Sequence, residues 1–166
     1  MPVTTLVVMG VSGSGKTTVA RALAERLGRP YVEGDDLHPA ANIAKMRDGI
    51  PLDDTDREPW LDRIADQIGD WEAAGVSAVL TCSSLKRAYR DRLRHGHRSV
   101  RFVHVRVDEQ TLRERLARRS GHYMPPSLLT SQLADLEPLG PDELGLTIDG
   151  NGAPADVTEQ IVTSLA

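Results

Sequence analysis

Apolar residues along the chain alternate between short continuous runs and longer stripes with helical spacing. Residues 5–9 form an apolar run that ends at glycine and serine, which predicts a buried strand. In residues 16–27 apolar positions recur every three or four residues and Gly28 follows, which predicts a helix ending at that glycine. Further strands are predicted at 30–33, 77–82, 100–107 and 146–149, and further helices at 39–47, 56–74, 85–94, 109–119, 128–136 and 155–165.

This regular alternation of strands and helices is typical of a parallel sheet that helices cover on both faces. We therefore predict an α/β protein with three layers and a doubly wound, parallel, five-stranded sheet. No internal repeat or low-complexity stretch interrupts the pattern, and 166 residues are a suitable length for one core. Residues 1–166 are expected to form a single domain.

Composition excludes some classes of partner without indicating a function. The net charge is −4, whereas a general nucleic-acid or membrane-surface binder needs an excess of basic residues. The apolar run at residues 4–9 is too short for the core of a secretion signal, and no apolar stretch approaches membrane-spanning length. Cys82 has no second cysteine to pair with. We expect a cytoplasmic protein with no nucleic-acid or membrane partner.

The segment between the first strand and the first helix carries the clearest chemical motif. Residues 10–17 match G-x-x-x-x-G-K-[ST], in which glycines turn backbone N–H groups toward phosphate oxygens. Lys16 is predicted to reach the β- and γ-phosphates of ATP, and Thr17 to bind Mg²⁺ through its hydroxyl. An ordinary turn before a helix is the alternative, but the flanking strand and helix favour the phosphate loop. Its predicted nucleotide contacts are Gly10, Ser12, Gly13, Ser14, Gly15, Lys16, Thr17 and Thr18.

The acidic residues then separate the classes of phosphate-loop protein. The third strand ends without an aspartate and no Asn-Lys-x-Asp motif occurs, which argues against a motor ATPase or a GTPase. Asp35 and Asp36 instead follow the second strand, so Asp35 should face the phosphate loop across the carboxyl edge of the sheet. It is predicted to accept a proton from a substrate hydroxyl or to hold Mg²⁺ through water. Alternatively, the pair only begins a turn or caps a helix.

Basic residues cluster in two places that an anionic substrate would explain. Lys86 and Arg90 are four residues apart on a helix that Ser84 is predicted to cap, so they share a face. Arg115 and Arg119 have the same spacing and precede a glycine- and proline-containing connection, which indicates a helical lid at about 112–135. A solvated basic surface is the alternative in both places.

Longer motifs extend over nearly the whole chain in a single order. They are Gly34-Asp35-Asp36-Leu37-His38-Pro39, Asn42-Ile43-x-Lys45-Met46, Asp54-x-Asp56-Arg57-x-Pro59-Trp60-Leu61, Cys82-Ser83-Ser84-Leu85-Lys86-Arg87, Arg119-x-Gly121-His122-Tyr123-Met124 and Ser131-Gln132. Together they resemble the gluconokinases of the phosphate-loop (P-loop) type. The resemblance implies a fold like that of the nucleoside-monophosphate kinases, ATP-dependent phosphorylation of the terminal hydroxyl of D-gluconate, Mg²⁺ dependence and a homodimer.

The resemblance also implies roles for individual residues. Lys16, Asp35 and Arg119 would be catalytic, with Asp35 the base at the attacking hydroxyl and Arg119 a clamp on the phosphoryl group. Arg115 would lie over the nucleotide base, opposite the 150–154 loop with Pro154. The implied substrate contacts are Asp35, His38, Arg47, Lys86, Arg90, His122 and Gln132.

Two other functions remain open at this point. A shikimate-kinase-like enzyme also has a small P-loop fold with an acidic pair after its second strand. A nucleotide-binding module without acceptor chemistry is the second alternative, against which the missing guanine-recognition motif argues.

Overall fold

The structure of the protein is a computed structural model that describes residues 2–118 and 126–165. The strands within these ranges are β1 (Thr5–Met9), β2 (Tyr31–Glu33), β3 (Ala78–Thr81), β4 (Val100–Arg106) and β5 (Gly145–Asp149). The helices are α1 (Lys16–Leu27), α2 (Ala40–Arg47), α3 (Asp54–Ala74), α4 (Arg87–Arg94), α5 (Glu109–Arg118), α6 (Pro126–Asp135) and α7 (Pro154–Leu165). A 3-10 turn, Gly34–Leu37, follows β2.

The five strands form one parallel sheet, as the sequence predicts, and the structure gives their order as β2-β3-β1-β4-β5. β1 lies at the centre, and the chain builds the sheet first on one side of it and then on the other. The carboxyl end of β1 is therefore the point at which the winding reverses, where α/β proteins open a crevice for ligands. The phosphate loop begins at this point.

Helices cover both faces of the sheet, and β1 is therefore buried at every position. Val7 and Met9 pack toward α3 and its tryptophans, Trp60 and Trp71, in one core cluster. The neighbouring residues of β1 pack toward α1 and α7 in a second cluster on the opposite face. Successive side chains of a strand point to opposite faces, so a strand between two helical layers is mostly apolar on both faces.

A third, smaller apolar cluster joins the predicted lid region to the phosphate loop. Val11 of the loop and Leu85 pack with Leu112 of α5 and Leu129 of α6, all of them buried. These contacts hold α6 beside the loop. The assignment of residues 112–135 as a mobile lid stays a prediction, and part of that range lies outside the described residues.

The sequence misplaces the starts of three helices, α3, α4 and α6, by two residues each, and α6 begins at Pro126 and not at 128. α3 begins at Asp54, two residues before the predicted start, because Asp53 and Asp56 form a reciprocal capping box there. α4 begins at Arg87 with Lys86 as its N-cap, and no side chain caps it, so the prediction that Ser84 caps this helix is wrong. Ser84 lies two residues before Lys86, the residue that holds the N-cap position.

Candidate active site

The phosphate loop lies between β1 and α1 with the backbone conformation that its glycines permit. Gly10, Gly13 and Gly15 have φ values of 150°, 86° and 85°. A Cβ atom on Gly10 would lie 2.8 Å from the Ser14 hydroxyl and 2.9 Å from the Val105 carbonyl oxygen, so no larger residue fits. The loop wraps around a small polar pocket at the N-terminus of α1. Free backbone N–H groups and the helix dipole make this pocket suitable for phosphate.

Residues of the loop, α1 and Asp35 line this phosphate pocket. Lys16 and Thr17 both border it, as the motif predicts. Asp35, in the 3-10 turn that follows β2, borders this pocket and also a second cleft. The structure thus brings the predicted base to the point where a phosphate and an acceptor would meet. The other described residues around the phosphate pocket are Ser12, Gly13, Gly15 and Thr18.

A neighbouring pocket on the other side of the loop has the composition of a nucleotide-base site. Arg115 donates to the Gly13 carbonyl at 3.2 Å and to the Gly150 carbonyl at 2.9 Å, and so joins the phosphate loop to the loop after β5. Pro154 lies across the same pocket. The two residues predicted to face a base from opposite sides therefore do border one cavity, with Thr18 and Arg118 at its rim.

The second cleft shares Lys16 and Asp35 with the phosphate pocket and combines apolar walls with a few polar groups. Met46, Leu52 and Leu128 contribute apolar surface, and Ser12 and Gln132 contribute polar groups. The Gln132 side-chain oxygen accepts the Ser12 backbone N–H at 2.7 Å, so this predicted substrate residue is also tied to the phosphate loop. Clefts of this composition are typical of small-molecule sites. We refer to it as the acceptor cleft.

His38 is held rigidly in the wall of the acceptor cleft. Its ring stacks on Trp60 with centroids 4.0 Å apart, and its Nδ1 lies 3.1 Å from the Asn42 amide nitrogen. Because an amide nitrogen only donates, Nδ1 accepts, and the proton of the neutral ring lies on Nε2. Burial, assisted by the charge of Arg57, lowers the pKa of His38 to about 4. The Nε2 atom of the neutral His38 ring lies 4.0 Å from Asp35 Oδ1, which is longer than a direct hydrogen bond.

Glu33 belongs to the site although the sequence analysis did not select it. It ends β2, and its carboxylate accepts the Thr17 hydroxyl at 2.9 Å and the Thr81 hydroxyl at 2.8 Å. Burial acts to raise the pKa of Glu33, but bonds from Tyr31, Thr81 and Thr17 and the charge of Lys16 hold that pKa below its usual value. The sequence did contain a signal for Glu33: this residue directly precedes Gly34-Asp35, at the end of the same predicted strand.

The close approach of β2 and β3 explains the glycine that follows Glu33. A Cβ atom on Gly34 would lie 1.8 Å from the Thr81 carbonyl oxygen. Gly34 also donates its N–H to the Thr81 hydroxyl at 3.0 Å, and its carbonyl accepts the Trp60 indole N–H at 2.8 Å. Only glycine allows the chain to pass here, and the passage fixes the directions in which Glu33 and Asp35 point.

Arg57 is a second residue of the site that sequence reasoning missed. It lies in the first turns of α3 and is almost fully buried, yet it borders the acceptor cleft. Its guanidinium donates to the Tyr89 hydroxyl at 2.7 Å and to the Asp135 carboxylate at 3.2 Å, and stacks over the Tyr89 ring. Of the described residues around the cleft, only Lys16 and Arg57 carry a permanent positive charge. Its place in the Asp56-Arg57-x-Pro59-Trp60 motif was the available signal.

The predicted pairing of Lys86 with Arg90 on one helical face is wrong. Lys86 precedes α4, and its ammonium group bonds Asp54 at 3.1 Å beside the Tyr89 ring. Arg90 points into the protein, is fully buried, and bonds Glu143 at 3.1 Å. Its remaining N–H groups bind backbone carbonyls of residues 84, 85 and 138. Arg90 therefore stabilises the segments behind the cleft and does not face a substrate.

Three further predicted site residues are not seen in the candidate site: one lies elsewhere, and two are outside the described residues. Arg47 is exposed on α2 and does not border the acceptor cleft. Arg119 and His122, the predicted phosphoryl clamp and a predicted substrate contact, lie outside the described residues. Cys82 is fully buried, and burial raises the pKa of its thiol to about 11, in agreement with a role in packing.

Comparison with known proteins identifies the family. A model of the AAA domain family matches residues 6–139. The gluconokinase of Gluconobacter oxydans is 52% identical over 157 residues, which cover 95% of this chain and 88% of that protein. The thermosensitive gluconokinase of Escherichia coli is 46% identical, over 93% of this chain and 83% of that protein.

Solved structures agree with the sequence relatives. The gluconokinase structure from Sinorhizobium meliloti superimposes with a TM-score of 0.88 at 43% identity, and covers 98% of this chain and 91% of that one. Shikimate kinase from Aquifex aeolicus, at 17% identity and a TM-score of 0.61 over 97% of this chain and 95% of that one, shares the fold alone. The chain belongs to the gluconokinases of the P-loop type.

Proposed function

We propose that the protein transfers the γ-phosphoryl group of ATP to the terminal hydroxyl of D-gluconate and so produces 6-phosphogluconate. The observation that carries this proposal is the position of Asp35, which borders both the phosphate pocket and the acceptor cleft. The identity of 52% to a gluconokinase over most of the chain supports gluconate as the acceptor. A hydroxyl group placed between Asp35 and Lys16 would lie where the acceptor cleft adjoins the phosphate pocket.

On the phosphate side, the chain supplies charge and orientation. Lys16 and the N-terminus of α1 would stabilise the negative charge of the transferring group, the main requirement of phosphoryl transfer. Arg119 remains the predicted clamp on that group, by resemblance to the family. Arg115 and the 150–154 loop would hold the base in the pocket that they share.

On the acceptor side, Asp35 and His38 would act as a pair. The Asp35 carboxylate would accept the proton of the attacking hydroxyl. The His38 Nε2–H, 4.0 Å from Asp35 Oδ1, would donate to a sugar hydroxyl bound between the two side chains. Because the His38 ring is stacked on Trp60 and bonded to Asn42, this donor is fixed before a substrate arrives.

At the far end of the acceptor, Arg57 would bind the gluconate carboxylate. Of the two cations among the described residues of the cleft, Lys16 would bind phosphate, so Arg57 is the one left for a carboxylate. Lys86 was the sequence-based choice, but its ammonium group bonds Asp54 and does not border the cleft. A planar guanidinium is well suited to a carboxylate, and its existing bonds to Tyr89 and Asp135 would hold it in place.

Mg²⁺ is the proposed cofactor beside ATP, and the residues present fit it. The Thr17 hydroxyl, the Glu33 carboxylate and the Asp35 carboxylate meet at or beside the phosphate pocket. Such oxygen groups are the ligands that Mg²⁺ prefers, together with water and nucleotide phosphates. When bound, the ion would neutralise phosphate charge, with Thr17 as its protein ligand.

Location and assembly rest on the family resemblance. We propose a cytoplasmic homodimer, for which sedimentation analysis of the purified protein is the test of assembly. In the described part of the chain, every helix is too short or too polar to cross a membrane.

The function is tested by measuring ADP release with D-gluconate, with shikimate and without an acceptor. We expect release that depends on gluconate and a shikimate rate equal to the rate without acceptor. Asp35→Asn should lower kcat by about 10²–10⁴-fold, the usual contribution of a general base, and leave nucleotide binding intact. Asp36→Asn is the matched control, because Asp36 is exposed and does not border the cleft.

Two results would contradict the proposal. Turnover of shikimate but not gluconate would establish the shikimate-kinase-like alternative. Tight nucleotide binding without turnover of any acceptor would establish a binding module instead.

A further inference from the structure

The hydroxyl of Thr17 is bonded to a carboxylate that the phosphate-loop motif does not include. Its Oγ1 lies 2.9 Å from Glu33 Oε2, although the two residues come from different elements, α1 and β2. The same carboxylate accepts the Thr81 hydroxyl at 2.8 Å through Oε1 and the Tyr31 hydroxyl through Oε2. Glu33 is thus fixed by two other hydroxyl groups before it meets Thr17.

The direction of each proton follows from simple donor and acceptor rules. An ionised carboxylate only accepts hydrogen bonds, so Thr17 must donate its proton to Glu33. Thr81 is already an acceptor for the Gly34 N–H at 3.0 Å, which directs its own proton toward Glu33. With its proton held by Glu33, the Thr17 oxygen keeps its lone pairs for a different partner. The phosphate pocket, which Thr17 borders, is where that partner would lie.

We propose that Glu33 is a positioning residue for a divalent cation, because it fixes the rotation of the Thr17 hydroxyl so that its lone pairs face the phosphate pocket. Glu33 would thereby supply the acidic group that the end of β3 lacks, where Thr81 and Cys82 stand instead. The sequence analysis allowed Asp35 to hold Mg²⁺ through water, and Asp35 does border the phosphate pocket, but the carboxylate that accepts the Thr17 hydroxyl is that of Glu33. The inference rests on the proposed use of ATP by this site and is independent of the acceptor.

A purely structural role for Glu33 makes a different prediction. The carboxylate also links the adjacent strands β2 and β3 through Tyr31 and Thr81. If linking the strands were its whole function, a change to Glu33 would weaken folding or nucleotide binding, and the loss would be the same in the presence and in the absence of metal. If Glu33 orients Thr17, the loss would appear only when a cation binds.

The experiment measures Mn²⁺ binding to the full chain in the presence of ADP by electron paramagnetic resonance, and ADP binding without metal by calorimetry. For Glu33→Gln we expect Mn²⁺ affinity to fall about 10–100-fold, the usual effect of losing a group that orients a metal ligand. Metal-free ADP affinity should not change. Tyr31→Phe is the matched control, because it removes another bond to the same carboxylate oxygen and leaves Thr17 untouched.

Unchanged Mn²⁺ affinity in Glu33→Gln would overturn the proposal, and so would an equal loss of metal-free ADP binding. A loss of Mn²⁺ affinity in Tyr31→Phe as large as in Glu33→Gln would overturn it as well. If Glu33→Gln does not fold, Glu33→Asp replaces it: the shorter carboxylate withdraws from Thr17, and undiminished Mn²⁺ affinity contradicts the inference. If the wild-type protein does not turn over gluconate but Glu33→Gln still loses Mn²⁺ affinity as expected, the proposed acceptor is refuted and the role of Glu33 stands.

Discussion

At the scale of single residues, the charges of the acceptor cleft are set by burial and by fixed partners. Arg57 is buried between Tyr89 and Asp135, and His38 between Trp60 and Asn42, so neither side chain is free to rotate. Preorganised groups of this kind spend little free energy on ordering when a substrate binds. The two residues lead to separate predictions, one on substrate affinity and one on pH.

Replacing Arg57 should weaken the binding of gluconate and not of ATP. In Arg57→Gln the charge that would pair with the carboxylate is lost, at about 1.5–3 kcal/mol, or roughly a 10- to 100-fold rise in KM for gluconate. Steady-state kinetics with each substrate varied in turn measure the effect. Arg63→Gln is the control, an exposed arginine on the same helix. An unchanged KM for gluconate would remove Arg57 from the substrate site.

The buried neutral state of His38 should make stability depend on pH in a defined window. Burial and the charge of Arg57 lower its pKa from 6.5 to about 4 in the folded protein. The unfolded chain therefore binds more protons between these values, and stability is complete above about pH 6.5 and is lost as pH falls toward 4. His38 contributes on the order of 3 kcal/mol to this loss.

In His38→Gln, the free energy of unfolding should fall less steeply between pH 6.5 and 4 than in the wild type. The slope should not vanish, because the pKa of His104 is also lowered to about 4, by burial and by Arg90 and Arg106. Urea denaturation at a series of pH values measures the slope. The exposed His95→Gln serves as the comparison, and a slope identical to the wild type in His38→Gln would contradict the argument.

At the scale of elements, the walls of the cleft are joined through a buried ion pair behind it. Glu143, just before β5, has a fully buried side chain that bonds Arg90 at 3.1 Å and Arg94 at 3.0 Å, both on α4. Arg90 in turn holds the carbonyls of Ser84 and Leu85, and Leu85 borders the acceptor cleft. The segment between α6 and β5 is thereby fixed to α4.

Breaking this pair should destabilise the protein much more than breaking its exposed neighbour. Glu143→Ala leaves Arg90 buried without its counterion, which costs about 3–5 kcal/mol. Asp142→Ala removes an exposed partner of Arg87 and should cost about 0–1 kcal/mol. Denaturant unfolding of both variants measures the difference. Equal small effects would mean that Arg90 finds other partners or water.

At the scale of the whole molecule, the sheet order places three binding regions around one central strand. The phosphate loop follows β1, the acceptor cleft opens toward α3, and the base pocket opens toward β5 and α7. A nucleotide bound across this arrangement would link both core clusters. Ligand binding should therefore stabilise the fold as a unit.

ADP with Mg²⁺ should raise the melting temperature. At about 100 times its Kd, a ligand adds about 2.7 kcal/mol, or about 5–10 °C for a chain of this size. Lys16→Met should reduce the shift strongly without changing the melting temperature of the free protein. Differential scanning calorimetry measures both, with Lys45→Met as control, since Lys45 bonds Asp56 away from the phosphate pocket. A full shift in Lys16→Met would contradict its role.

The sequence by itself determined the elements and the phosphate loop. β1 and α1 occupy their predicted residues. β2 begins one residue later than predicted, and β3 is one residue shorter than predicted at each end. Such features are local, because hydrophobic periodicity and glycine signals act within a few residues of the chain. The position of Asp35 beside the phosphate loop was predicted for the same reason: the carboxyl end of a parallel strand indicates where a side chain will lie.

The tertiary structure alone decided which charged side chains face the ligands. Arg57 and Arg90 are both arginines near helix starts, yet one borders the cleft and the other pairs with Glu143, 53 residues later in the chain. Glu33 meets Thr81 across 48 residues. Periodicity gives the face of an element but not the partner opposite it. That partner is set by long-range packing, which compensates the cost of burying each charge.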